Sequence, residues 1–187
     1  TISDSTLSTT APGGAPAANA TGIFINSGTV DIESSQLSVG AATASSAGVL
    51  GQAAVVDVGG SAIDVGDSDT VAGLFVGGTV VFDEVEVDTG DAVATNVGAL
   101  VDGDVDITGG RITVGGGDAA SGLGVDGGLV ASGLVVVTGA AGASSVGIAV
   151  NDGTADLTEV EVTAGAAGDL SIALSLDEGT LATLTGG

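Results

Sequence analysis

The stretch Gly22 to Gly40, GIFINSGTVDIESSQLSVG, returns with variation along the whole chain, and this repetition restricts the fold more than any other feature. A first glycine recurs at Gly22, Gly48, Gly73, Gly98, Gly122 and Gly147; a second recurs at Gly40, Gly66, Gly90, Gly115, Gly139 and Gly165. Two apolar columns keep step with them. Ile32, Val58, Phe82, Ile107, Ala131 and Leu157 form one, and Leu37, Ile63, Val87, Ile112, Val136 and Val162 form the other, five residues further on in each copy. Copies start 24 to 26 residues apart. A unit of that size cannot bury its apolar face alone, so the period implies a solenoid of stacked units.

Each unit holds three short segments with the period-2 alternation of strands, of the types Ile23-Phe24-Ile25, Val30-Asp31-Ile32 and Gln36-Leu37-Ser38-Val39. The links Ala41–Ala47 and Ala140–Val146 are too short and too weakly periodic for helices, and the glycines read as turn residues. The expected fold is all-β: a right-handed, three-sided parallel β-helix of about six full coils plus two terminal half coils. Residues 1–10 supply an N-terminal half coil, with Ile2, Ser5 and Leu7 matching Ile32, Ser35 and Leu37. Residues 11–21 form a Pro/Ala loop that carries the sequon Asn19-Ala20-Thr21. The six coils run over 22–170. Residues 171–187 form a C-terminal half coil, with Ile172 and Leu174 matching Ile148 and Val150. The whole reads as a single domain, and its opening on Thr1 reads as a mature form or as a piece of something longer.

The pattern Gly-Ile-x-Ile-x-x-Gly-x-Val-x-Ile-x-x-Ser-x-Leu at Gly22 to Leu37 resembles the coils of bacterial autotransporter passenger domains of the pertactin-like kind. It is similar, more broadly, to the pectate-lyase-like β-helices. The resemblance implies secretion, display at the cell surface, and a role in adhesion or scaffolding.

Composition narrows the chemistry. One Lys or Arg stands against 24 Asp and Glu, with no His, for a net charge of −23. Nucleic-acid binding requires a basic footprint and is excluded; anionic membrane surfaces attract basic segments and are disfavoured. No apolar run is long enough to insert in a membrane. Without Cys or His no thiolate or Ser-His-Asp machinery exists. Related enzymes use Lys, Arg or His on acidic sugars, and this chain offers Arg111 alone, expected beside Glu86 as an exposed ion pair. The acidic run Asp83, Glu84, Glu86 and Asp88 could in principle supply a glycosidase carboxylate pair. No Trp or Tyr is present to stack a sugar, so a carbohydrate-active enzyme is the minor alternative and no catalytic residue is assigned. No cofactor is required. Ca²⁺ is a candidate ligand, with Asp102, Asp104 and Asp106 as the crowded carboxylates; a high-salt habitat accounts for the acidity equally well.

Chain ends that stop in mid-coil leave strand edges that recruit other strands. The expected function is therefore a structural subunit of an extracellular filament or surface fibre. It would assemble head to tail with itself through Ile2, Ser5 and Leu7 at one end and Ile172, Leu174, Leu181 and Leu184 at the other. The alternative is a fragment of a longer secreted adhesin or passenger stalk.

Overall fold

A computed structural model describes residues 1–9, 16–177 and 180–186. The chain opens with β1 (Ile2–Ser3) and β2 (Thr6–Ser8), followed by β3 (Asn19–Ile25), β4 (Gly28–Glu33) and β5 (Gln36–Val39). Next come β6 (Ser45–Gly59), β7 (Ala62–Val65), β8 (Ser68–Asp83) and β9 (Glu86–Thr89). The middle coils hold β10 (Ala92–Asp102), β11 (Val105–Thr108), β12 (Arg111–Val114), β13 (Gly117–Asp126), β14 (Leu129–Ser132) and β15 (Val135–Thr138). The last are β16 (Ala141–Asn151), β17 (Thr154–Thr158), β18 (Glu161–Thr163), β19 (Leu170–Leu176) and β20 (Leu181–Thr185). No helix occurs among the described residues, and each strand of the inner coils pairs in parallel with its counterparts in the coils before and after. The protein is an all-β parallel solenoid of about seven turns.

Each coil has three sides. The third is a sheet of its own, the 7-stranded order β18-β15-β12-β9-β7-β5-β2. The first and second belong to one 13-stranded sheet, because β6 and β8 run round the corner between them without a break. Two expected segments are thus one strand in those coils. The expected link Ala140–Val146 is also mostly strand, since β16 starts at Ala141. The sequon lies in β3 rather than in a loop, with the Asn19 Oδ1 accepting from Ser45 Oγ at 2.7 Å. Residues 10–15 of the expected Pro/Ala loop lie outside the described residues.

The apolar columns are real columns. Ile32 pairs in register with Val58, Val58 with Phe82, Phe82 with Ile107, Ile107 with Ala131 and Ala131 with Leu157. All of them point inward and are buried, Phe82 included. The first glycine of each unit, expected as a turn residue, sits inside a first-side strand. A Cβ on Gly98 would overlap both the Ile112 methyl of the third side and the carbonyl oxygen of Gly122 in the next coil. The interior is so thin there that the backbone itself forms the wall against which the third side packs.

The corner between second and third sides is the same in every coil. Asp4, Ser34, Gly60, Glu84, Gly109, Gly133, Glu159 and Gly186 all have φ between 47° and 74°. Up to Glu159, each N–H in this left-handed column donates to a carbonyl of the following coil at 2.7–3.1 Å. Differences in coil length are absorbed elsewhere. Bulges fall between Gly51 and Ala54 at the first corner, and at Ala92–Thr95 and Gly117–Ala119 where the chain enters the first side.

Candidate functional site

At the C-terminal end the interior opens into a cavity of about 150 Å³ lined by Leu157, Val160, Val162, Leu174, Leu184 and Gly186. Inward-facing columns produce this lining, because the last described layer has the same alternation as the others. Among the described residues β18, β19 and β20 each pair with one neighbour, β15, β16 and β17 respectively. Among the described residues no strand pairs with their other edges. At the opposite end, among the described residues, β1, β2 and β3 pair with β4, β5 and β6.

The residues expected at these ends are distributed as follows. Ile2 and Leu7 are half-buried against the core, paired with Ile32 and Leu37. Ser5 donates through its N–H to Ser35 Oγ at 3.1 Å and through its own Oγ to the Ser3 carbonyl at 2.7 Å. Leu174 and Leu184 line the opening, and Leu181 is exposed on β20, beside Thr154. The alignment of the tail requires correction by two residues: Ile172 pairs with Val146, while Leu174 pairs with Ile148 and Leu176 with Val150. The reason is that Ala173 occupies the place the first glycine holds in other coils, its carbonyl oxygen meeting the position of a Gly147 Cβ. Ile172 therefore belongs to an outward column and not to the opening.

The two ends are not simple complementary halves either. The tail supplies a first-side strand, β19, and also a second-side strand, β20. Since the chain also begins on the second side with β1, that side carries one layer more than the third. Leu184 and Ile2 occupy the same column, next to Leu157 and Ile32 respectively.

The acidic side chains lie on outer faces and at corners. Asp106 faces outward between Val81 and Val130, in the column that also holds Asp31, Asp57 and Asp156. Asp102 ends β10, and Asp104 uses its Oδ1 to accept the Gly128 N–H at 3.0 Å. Among the described residues no three or more His, Cys, Asp or Glu form a group that could hold a metal ion. Asp67 and Asp91 have a structural task as well, each accepting the backbone N–H of the residue one coil on, Asp91 at 2.8 Å and Gly116 at 2.7 Å.

Arg111 is in register with Glu86 and Val135 on the third side, and its Nε donates to Thr113 Oγ1 at 3.0 Å. Glu84 and Glu86 border a groove along the left-handed corner, with Asp4, Ser34, Gln36 and Gly60. Asp88, in register with Asp64, has its carboxyl pushed above the usual range, first by burial and then by the charges of Asp64 and Glu86, with Arg111 pulling the other way.

Sequence reasoning missed two buried polar pairs in the corner between third and first sides. Thr89 Oγ1 lies 2.7 Å from Asn96 Oδ1, and Thr138 Oγ1 lies 2.6 Å from Ser145 Oγ. The signal was present, as paired departures from Val65 and Val71 at the equivalent positions. No protein-family description, curated protein or solved structure matches this chain.

Proposed function

We propose that the protein is a structural subunit of an extracellular fibre that grows head to tail. In this reading β20 of one copy takes the place that β1 holds against β4 in the next. The supporting observation is the shared column of Leu184 and Ile2: a strand running through Leu184 fits against Ile32 as Ile2 does. β1 is the cheaper strand to displace, having two residues and a half-buried Ile2, whereas β20 brings five residues. With β1 displaced, β19 meets β3, β20 meets β4 and β18 meets β2, and all three sides continue without a gap. Main-chain hydrogen bonds would supply the affinity and the leucines the register. The contact is heterologous and propagates unless its rotation closes a ring. Display outside the cell, and kinship with passenger or pectate-lyase-like solenoids, belong to this proposal through the coil pattern.

A second reading is a stalk segment within a longer surface adhesin. It is favoured by the surplus layer on the second side, which a chain continuing onto the third side over β18 would leave.

Electron microscopy and sedimentation of the 187-residue chain test the proposal. The expected result is filaments with an axial repeat of roughly 30–35 Å, from about seven layers at ~4.8 Å. Deletion of residues 1–3 should speed their growth, and Leu184→Asp should abolish it. A monomer in all three cases sinks the filament and leaves the stalk. Repeating the measurement with a chelator decides whether Ca²⁺ takes part.

A further inference from the structure

The first side differs from the other two in having no charge on its three central outer columns. Phe75 points outward between the buried Leu74 and Val76, and it is in register with Leu50 and Leu100. That column runs Phe24, Leu50, Phe75, Leu100, Gly124, Ala149, Ser175. A second outward column runs from Thr21 through Ala47, Ala72 and Val97 to Ser121, Val146 and Ile172. A third, from Asn19 to Leu170, holds Ser, Thr and Ala between its ends. On a chain of net charge −23 this face stands alone. The outer surfaces of the other two sides carry Asp31, Asp57, Asp106 and Asp156, or Asp64, Glu86, Asp88 and Glu161.

We propose that this face binds the same face of a second copy, with the two rods antiparallel and related by a two-fold axis along the strands at the level of Leu100.

The side chains complement one another under that operation. In the first column Phe24 falls opposite Ser175 of the other copy, Leu50 opposite Ala149, Phe75 opposite Gly124, and Leu100 opposite itself. Large residues at one end meet small ones at the other. In the second column the gradient is reversed and still closes: Thr21 opposite Ile172, Ala47 opposite Val146, Ala72 opposite Ser121, Val97 opposite itself. Two sheets packed face to face stand about 10 Å apart, a gap that Phe24, Leu50 and Phe75 each fill against the small residue opposite. Charge favours a second copy on this face over any other, since each remaining side would bring carboxylates against carboxylates. About seven layers at ~4.8 Å and a width of roughly six to seven residues at ~3.3 Å give about 670–780 Å² of projected face per copy. Specific interfaces bury about 800 Å² per partner, so the face is of adequate size. Asp69, Asp102, Asp118 and Asp126 lie at its rim, where like charges from two copies approach, so the pair should tighten as salt screens them.

Sedimentation equilibrium in low and high salt, on the chain carrying Leu184→Asp to silence end-to-end growth, reads the lateral pair alone. Twice the monomer mass, tightening by ~10-fold or more in high salt, is expected. Leu100→Glu should return the monomer. Val55→Glu, the same charge change on the second side at an exposed position, should leave the dimer intact. The chain has no Cys, so single cysteines and a short bis-maleimide report register. Leu100→Cys should cross-link to itself, and Phe24→Cys only to Ser175→Cys. A monomer in high salt, equal loss with Val55→Glu, or Phe24→Cys linking to itself would each overturn the proposal. If the monomer binds ice or an uncharged polysaccharide instead, the occupant is wrong.

Discussion

Thr89 Oγ1 donates to Asn96 Oδ1 at 2.7 Å inside the solenoid, while Asn96 Nδ2 donates to the carbonyls of Gly90 at 2.6 Å and Gly116 at 3.1 Å. Both residues are buried, and the coils on either side place Val65 with Val71 and Val114 with Ala120 at the same positions. Removing one member strands the other. Thr89→Val or Asn96→Val alone should cost about 1–3 kcal/mol, whereas the double substitution, which copies the Val65/Val71 coil, should recover most of it. A double-mutant cycle by urea denaturation measures the coupling; additive losses would show that the Asn96 bonds to the Gly90 and Gly116 carbonyls, and not its bond to Thr89, carry the energy.

Gly98 tests the thin interior. Gly98→Ala should lose about 3 kcal/mol or fail to fold at all, because Ile112 and the Gly122 backbone already fill the space. Gly59→Ala is the control, since a Cβ there has nothing within 4 Å, and its midpoint should move little.

The left-handed corner offers stabilisation. Ser34 holds a φ of 47° that costs an L side chain roughly 1 kcal/mol and costs glycine nothing. Ser34→Gly should therefore raise the denaturation midpoint, as Gly60 occupies the same corner one coil on with a φ of 51°. No gain would mean that the Ser34 side chain supplies a contact of equal worth.

Asp88 sets a pH dependence whose sign is unusual for a carboxylate. Its folded pKa is raised above the ordinary 3.8, so the folded state holds the proton more tightly than the unfolded chain. This group's contribution is most favourable below 3.8 and is lost as pH rises through the raised folded value. Asp88→Asn should raise the melting temperature at neutral pH, with the difference vanishing below 3.8. An unchanged melting temperature at neutral pH would show that solvent already screens the Asp64–Asp88 contact.

Much of the fold was legible because a parallel solenoid writes its register into the sequence. Residues one period apart are hydrogen-bonded neighbours, so Ile32, Val58 and Phe82, or Glu86 and Arg111, could be stacked from spacing alone. What crosses the interior was not legible. The role of Gly98 depends on Ile112 reaching it from the opposite wall, which no period reports. The tail misled for a related reason: Ala173 stands where a glycine marks the other coils, and without that mark Ile172 was placed two residues out of step. The charge-free face was hidden as well, since its residues are neighbours only through register.

Every coil opens and closes on the same columns. The length of this rod is counted in whole coils and is indifferent to the residues within them. Excising 98–121 would carry Val97 directly to Gly122 and leave each column intact, shorter by one step of ~4.8 Å. Such a chain is a ruler graduated in single strands, whose reach can be reset by duplicating or deleting one unit without redesigning any other.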